Sequence, residues 1–183
     1  KKPAKDLLAC FGNLQGILDA PVDDLRSIKG IGEVAPTAFR IIKEAANLYL
    51  QQKAEQENCF AARETMMEFW RSRLGGLKHE VFEVAYLDSG YRLLKDGVDR
   101  LEEGTIDRAT IYPRKVIEAA LKKGSSVLVL AHNHTNGDIN PSDQDKNITR
   151  AIVMAAETLQ IKIHDHLIVS MNEVFSFRKA GLL

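Results

Sequence analysis

A short apolar run that ends in two histidines constrains this chain more than any other feature. Val127-Leu128-Val129-Leu130 is unbroken, partly β-branched and introduced by Gly124, which is how a strand buried on both faces reads. Ala131-His132-Asn133-His134 follows directly. Side chains two apart on a strand share a face, so His132 and His134 offer both rings to one point at the strand's carboxyl end. The next stretch, Asn136-Gly137-Asp138-Ile139-Asn140-Pro141, is rich in turn formers, and Ser142 opens a helical pattern whose first turn holds Asp145. Two neutral nitrogens and one carboxylate leave a tetrahedral Zn²⁺ one open position, the arrangement of a catalytic rather than a structural zinc.

A plainer reading accounts for part of the same pattern. Ser142-x-x-Asp145 has the spacing of a helix capping box, although Glu or Gln is usual at the last place. Capping and metal binding are compatible, and spacing alone leaves both open.

His132-x-His134, seven residues, Ser142, two residues, Asp145 is similar, without a gap, to the HxH-x7-S-x2-D signature of the JAMM (Jab/MPN) metalloenzymes. Five blocks, Glu80 to Asp88, Gly104 to Asp107, Tyr112-Pro113-Arg114, Ala131 to His134 and Asp165 to Val169, resemble the bacterial RadC branch, and the likeness runs from about Phe69 to Leu183. It implies a JAMM-type, cytidine-deaminase-like three-layer α/β/α sandwich with a mixed sheet. One Zn²⁺ per chain is implied on His132, His134 and Asp145. A glutamate on an early strand acts as base in that family, a role that falls here to Glu80, with Glu83 as the fallback; strand spacing puts the two on opposite faces and cannot choose between them. Ser142 is implied as the donor to the oxyanion of an amide carbonyl. His166 is expected to orient or line the site, with His164 merely exposed on the same strand face, opposite Ile161, Ile163 and Leu167. His79, beside Glu80, is expected to modulate it or do nothing.

Two departures from the RadC pattern affect the surroundings and not the ligands. The loop reads His134-Thr135-Asn136-Gly137 where His-Pro-Ser-Gly is common, and Lys115 follows Pro113-Arg114 where an acidic residue is common.

The rest of the chain bounds the possibilities. With 183 residues and 45% hydrophobic content it can bury one ordinary core and a small second one. Basic and acidic residues number 25 each, so no overall field draws it to nucleic acid or an anionic membrane. Cys10 and Cys59 are too few for a zinc ribbon or a disulfide framework, no apolar run has membrane length, and the expected setting is a reducing cytoplasm with no membrane partner. The chain opens on Lys1 and not on Met, as a segment of a longer protein does.

Residues 1–52 read as short helices around Lys29-Gly30-Ile31-Gly32, followed by a longer helix with Phe39, Ile42, Ala46 and Tyr49 or Leu50 on one stripe. This resembles a helix-hairpin-helix module. In such a module the backbone of Gly30, Ile31 and Gly32 can hold a phosphate without reading a base, giving weak, non-specific DNA contact. Local charge gives that little help: seven basic residues (Lys1, Lys2, Lys5, Arg26, Lys29, Arg40, Lys43) meet six acidic ones (Asp6, Asp19, Asp23, Asp24, Glu33, Glu44). Residues 53–68 read as linker or continuing helix, and 69–183 as the RadC-type domain. Across that boundary Met66, Met67, Phe69, Trp70 and Leu74 suit a helix packed on the sheet, ended by Gly75-Gly76. Period-two alternation from Glu80 and a return from Tyr91 to about Ile106 suit a hairpin of strands. A helix from Pro113 carries Val116, Ile117, Ala120 and Leu121. Another carries Ile148, Ala151, Ile152, Ala155 and Leu159, and two closing strands follow.

The reading that results is a zinc-dependent hydrolase of an amide bond in an unknown protein or peptide, with an association with DNA repair implied by the family's name. The alternatives are a non-catalytic DNA- or protein-binding adaptor and a metal-dependent nuclease. A zinc deaminase is excluded for want of Pro-Cys-x-x-Cys, and a barrel amidohydrolase for want of length.

Overall fold

The computed structural model describes residues 2–104 and 111–183; of Gly104 to Asp107, only Gly104 falls within them. The chain forms two compact units, Lys1–Leu50 and Gln51–Leu183.

In the first unit, α1 (Lys2–Phe11), α2 (Leu14–Asp19), α3 (Val22–Arg26) and the start of α4 (Val34–Gln56) enclose a small core. Its buried members are Leu7, Ile17 and Leu25, with Phe11, Ile28, Ile31 and Phe39 packed against them. Asn13 caps α2, its side-chain oxygen accepting from the Gly16 N–H at 2.8 Å. The stripe expected along α4 ends early. Phe39 reaches the core, but Ile42 and Tyr49 are 53% and 67% exposed. Three short helices build a core too small to cover more than the first turns of α4, and one turn past Phe39 the inward place belongs to Lys43, paired with Asp19 at 2.6 Å.

The second unit is a five-stranded sheet in the order β2-β1-β3-β4-β5, with β3 and β4 parallel and the other pairs antiparallel. The strands are β1 (Glu80–Leu87), β2 (Leu93–Gly104), β3 (Val127–Asn133), β4 (Lys162–Val169) and β5 (Val174–Ser176). Their interposed helices are α5 (Arg63–Leu74), α6 (Pro113–Lys123) and α7 (Asp143–Glu157). Pro113 starts α6, where its missing N–H costs nothing, and Gly124 closes it in the left-handed conformation at φ 68°.

Strand parity sorts the faces. Phe82, Val84 and Tyr86 of β1 and Leu128 and Leu130 of β3 join one core with Val116, Ile117 and Ala120 of α6 and Ile152 and Ala156 of α7. The opposite parity faces α5, as the ion pair between Arg73 and Glu83 shows. There Phe69 and Trp70 pack edge-to-face at 5.2 Å between ring centroids, with Phe60 against both, and Trp70 is fully buried. Two stripes are narrower than expected: Leu121 on α6 and Leu159 just beyond α7 are exposed, the buried path along α6 running through Val116, Ile117 and Ala120 and that along α7 through Thr149, Ile152 and Ala156. Gly75 does follow α5, but in a right-handed conformation; a Cβ there would stand 2.9 Å from the Ser170 carbonyl oxygen, so close approach explains the glycine.

One register shift places the site. Leu128 pairs with Ile163, but Val129 pairs with Asp165, so His164 is an extra residue on β4. Ile163 and His166 therefore share the α6–α7 face, while Asp165 and Leu167 face the other way. The expectation that His164 and His166 share a face opposite Ile163 is corrected by this bulge, which moves everything after it by one residue.

Candidate metal centre

The carboxyl end of β3 and the amino end of α7 meet at His132, His134 and Asp145. Their ligand atoms lie within 4.8 Å of one another, and among the described residues no other trio of His, Cys, Asp or Glu meets that test. His132 Nε2 is 3.0 Å from His134 Nε2 and 3.2 Å from Asp145 Oδ1, and His134 Nε2 is 3.6 Å from Asp145 Oδ2. A tetrahedral ion with ligands at 2.0–2.1 Å needs separations of about 3.3 Å, and the trio brackets that value.

A chain of hydrogen bonds fixes the protons around the trio. The Thr149 hydroxyl donates to the Asp145 carbonyl oxygen at 2.5 Å, so its oxygen accepts from His166 Nδ1–H at 2.6 Å. His166 then has a bare Nε2, which accepts from His132 Nδ1–H at 2.9 Å. His134 Nδ1–H donates to the Asp138 carbonyl oxygen at 2.6 Å. Both neutral ligand rings are thus left with Nε2 lone pairs, which point toward each other. Two acceptors at that separation are repulsive unless a cation stands between them, so the donor set fits a metal ion. Burial holds the His166 proton affinity well below that of an ordinary histidine and keeps its ring neutral. Burial acts to raise the Asp145 carboxyl, but when a proton and not an ion occupies either Nε2, that ring donates to Asp145, which outweighs burial and holds the group below the usual carboxylate range. The same contact, available to a ring that carries a proton on Nε2, raises His134.

Both capping and ligand geometry occur at Ser142. Its backbone N–H donates to Asp145 Oδ2 at 2.8 Å, and its hydroxyl oxygen accepts from the Asp145 N–H at 3.1 Å, a complete capping box. The hydroxyl also donates to Oδ2 at 2.6 Å. Asp145 keeps Oδ1 toward His132 throughout.

Glu80 and Glu83 part company. Glu80, half-buried, lines the cleft that contains His132, His134, Ser142 and Asp145, and its charge contributes to raising His134. Glu83 is fully buried on the other face, against Arg73 and Arg100 Nε at 3.0 Å. Strand parity could not rank them; the helix that covers each face does.

Two contributors escaped sequence reasoning. Thr149 is a polar residue on the buried path of α7, and that misfit was the available signal. Asn133, between the two ligands, is 2% exposed: its side-chain oxygen accepts from the Val81 N–H at 2.8 Å and its amide donates to the His79 carbonyl oxygen at 3.0 Å. It thereby fixes the peptide groups on both sides of Glu80.

The hairpin of the first unit is built differently. Gly30 has φ 92°, which favours glycine, and the Ile31 N–H donates to the Ile28 carbonyl oxygen at 3.0 Å. Ile31 packs on the small core, and a Cβ on Gly32 would meet open space.

A mixed α/β sheet with a His-His-Asp centre at the end of its middle strand defines a class of metal-site proteins, and comparison narrows it. Residues 60–182 match the model of the RadC-like JAB domain, and the chain belongs to that family. It is 32% identical over 180 residues to the UPF0758 protein of Burkholderia cenocepacia strain HI2424, and equally to that of Burkholderia orbicola strain MC0-3. Each alignment covers 98% of this chain and 69% of the relative. Among the described residues no helix is long and apolar enough to cross a membrane.

Proposed function

We propose that the protein is a zinc-dependent hydrolase of amide bonds in a peptide or protein, with the three-layer JAMM-type sandwich as its frame. The observation that carries this reading is the convergence of two committed Nε2 lone pairs and the Asp145 carboxylate in one cleft with Glu80 and Ser142. Sheet faces covered by α5 on one side and α6 with α7 on the other support the layered frame.

His132, His134 and Asp145 would hold the ion. When bound, Zn²⁺ lowers the pKa of a water to about 7 and polarises a carbonyl. Glu80 takes the water proton as the oxygen adds to the carbonyl carbon. The Ser142 hydroxyl turns its hydrogen from Asp145 to the oxyanion. As the C–N bond breaks, Glu80 returns the proton to the leaving amine. His166, backed by Thr149, keeps His132 in the tautomer that ligates.

The cleft favours an amide over a phosphodiester. Among its described lining residues the charged groups are Glu80 and Asp145, and there is neither Lys nor Arg to meet a phosphate. The first unit adds at most a weak, sequence-independent DNA contact through the hairpin, whose Ile31 N–H is already spent internally.

Metal content tests the reading directly. Protein prepared without chelators should carry stoichiometric zinc, lost in His132→Ala and Asp145→Ala, while Glu80→Gln should keep zinc and lose hydrolysis across a peptide-amide library. Failure to take up added Zn²⁺ would leave a non-catalytic adaptor.

A further inference from the structure

The cleft is far larger than the metal centre requires. Its volume is about 760 Å³, whereas a water occupies roughly 30 Å³ of liquid; the excess is the size of a bound organic group. Beyond the ligands the lining turns apolar, through Phe82, Ile111, Pro113, Ile148 and Ala151. Phe82 forms the floor nearest the ions' seat, its ring stacked on His132 at 5.9 Å and 12°.

The helix sets the direction. Asp145, Ile148 and Ala151 recur at three-residue spacing on α7, so Ile148 stands about 4.5 Å and Ala151 about 9 Å along the axis from Asp145. Ile148 is half-buried, packed on the core with one side and lining the cleft with the other, and Ala151 is exposed, so this wall keeps an open face toward the cleft. A carbonyl held beside Ser142 and Asp145 lies at the start of that wall, while Glu80, which serves the leaving amine, stands on β1 across the cleft. Resting on the amide-hydrolase reading, we propose that Phe82, Ile148 and Ala151 form a subsite for an apolar side chain of leucine or phenylalanine size on the acyl side of the scissile bond. Gln144 and Asn147 on the same helix border the cleft with uncharged amides, suited to a peptide backbone and not to a charged group.

Hydroxamates of graded size, titrated calorimetrically into the zinc-loaded protein, separate this subsite from the metal. Acetohydroxamate reports the metal alone. 4-Methylpentanehydroxamate and 3-phenylpropanehydroxamate should bind about tenfold or more tightly than it, as burial of their tails requires. Succinic monohydroxamate, with a carboxylate tail, should gain nothing. In Ala151→Glu, a surface change, and in Ile148→Asn, the ratio of apolar to acetyl affinity should fall to within about threefold. Equal affinity of the apolar and acetyl probes for the unaltered protein, or a ratio that survives both substitutions, overturns the subsite while leaving the metal reading intact. No binding of acetohydroxamate overturns both.

Discussion

The metal centre and the glycine hairpin are both turns that present polar groups at the start of a helix, yet they are finished differently. At the end of β3 each hydrogen is directed outward along a chain, from His132 to His166 to Thr149, so that lone pairs remain at the centre. In the hairpin the direction is reversed: the Ile31 N–H closes back on Ile28, and the Ile31 side chain serves the local core. A ligand site needs polar atoms that the fold has satisfied on one side and left bare on the other. A turn satisfies them within itself.

The sharpest way to break this contrast is to remove the outer support of the metal centre. Thr149→Val should cost about ten- to a hundredfold in zinc affinity, measured by competition with a chromophoric chelator, and Thr149→Ser should restore it. Unchanged affinity would mean that the ligand rings need no support. Asn133→Ala should come next. Losing both bonds beside Glu80 leaves buried groups unpaired and should lower stability by about 1–3 kcal/mol in denaturant unfolding. Smallest is the hairpin: binding of duplex DNA should be no tighter than about 10⁻⁶ M near physiological salt, with a shallow salt dependence. Tight binding that Lys29→Glu abolishes would make the hairpin a site after all.

Much of the second unit was legible because its signals are local. The apolar run before His132, the proline that starts α6, Gly124 at its end and the Ser142–Asp145 pair each state their role within a few residues. What could not be read depends on partners from other elements. Glu80 and Glu83 differ because α5 brings Arg73 to one face of β1. Asn133 matters because β1 passes beside it, 52 residues earlier. On α4 a regular apolar spacing overstated burial, since spacing records what a helix offers and not how much core exists to receive it.

The extra residue at His164 touches neither His132 nor Thr149, yet without it His166 would be turned to the far side of the sheet. It acts as a frameshift written in backbone, restoring one reading phase at the cost of another. Chains of this kind compared by residue count through β4 would be matched with inside and outside exchanged, and a one-residue deletion there would disconnect the relay behind the candidate metal site.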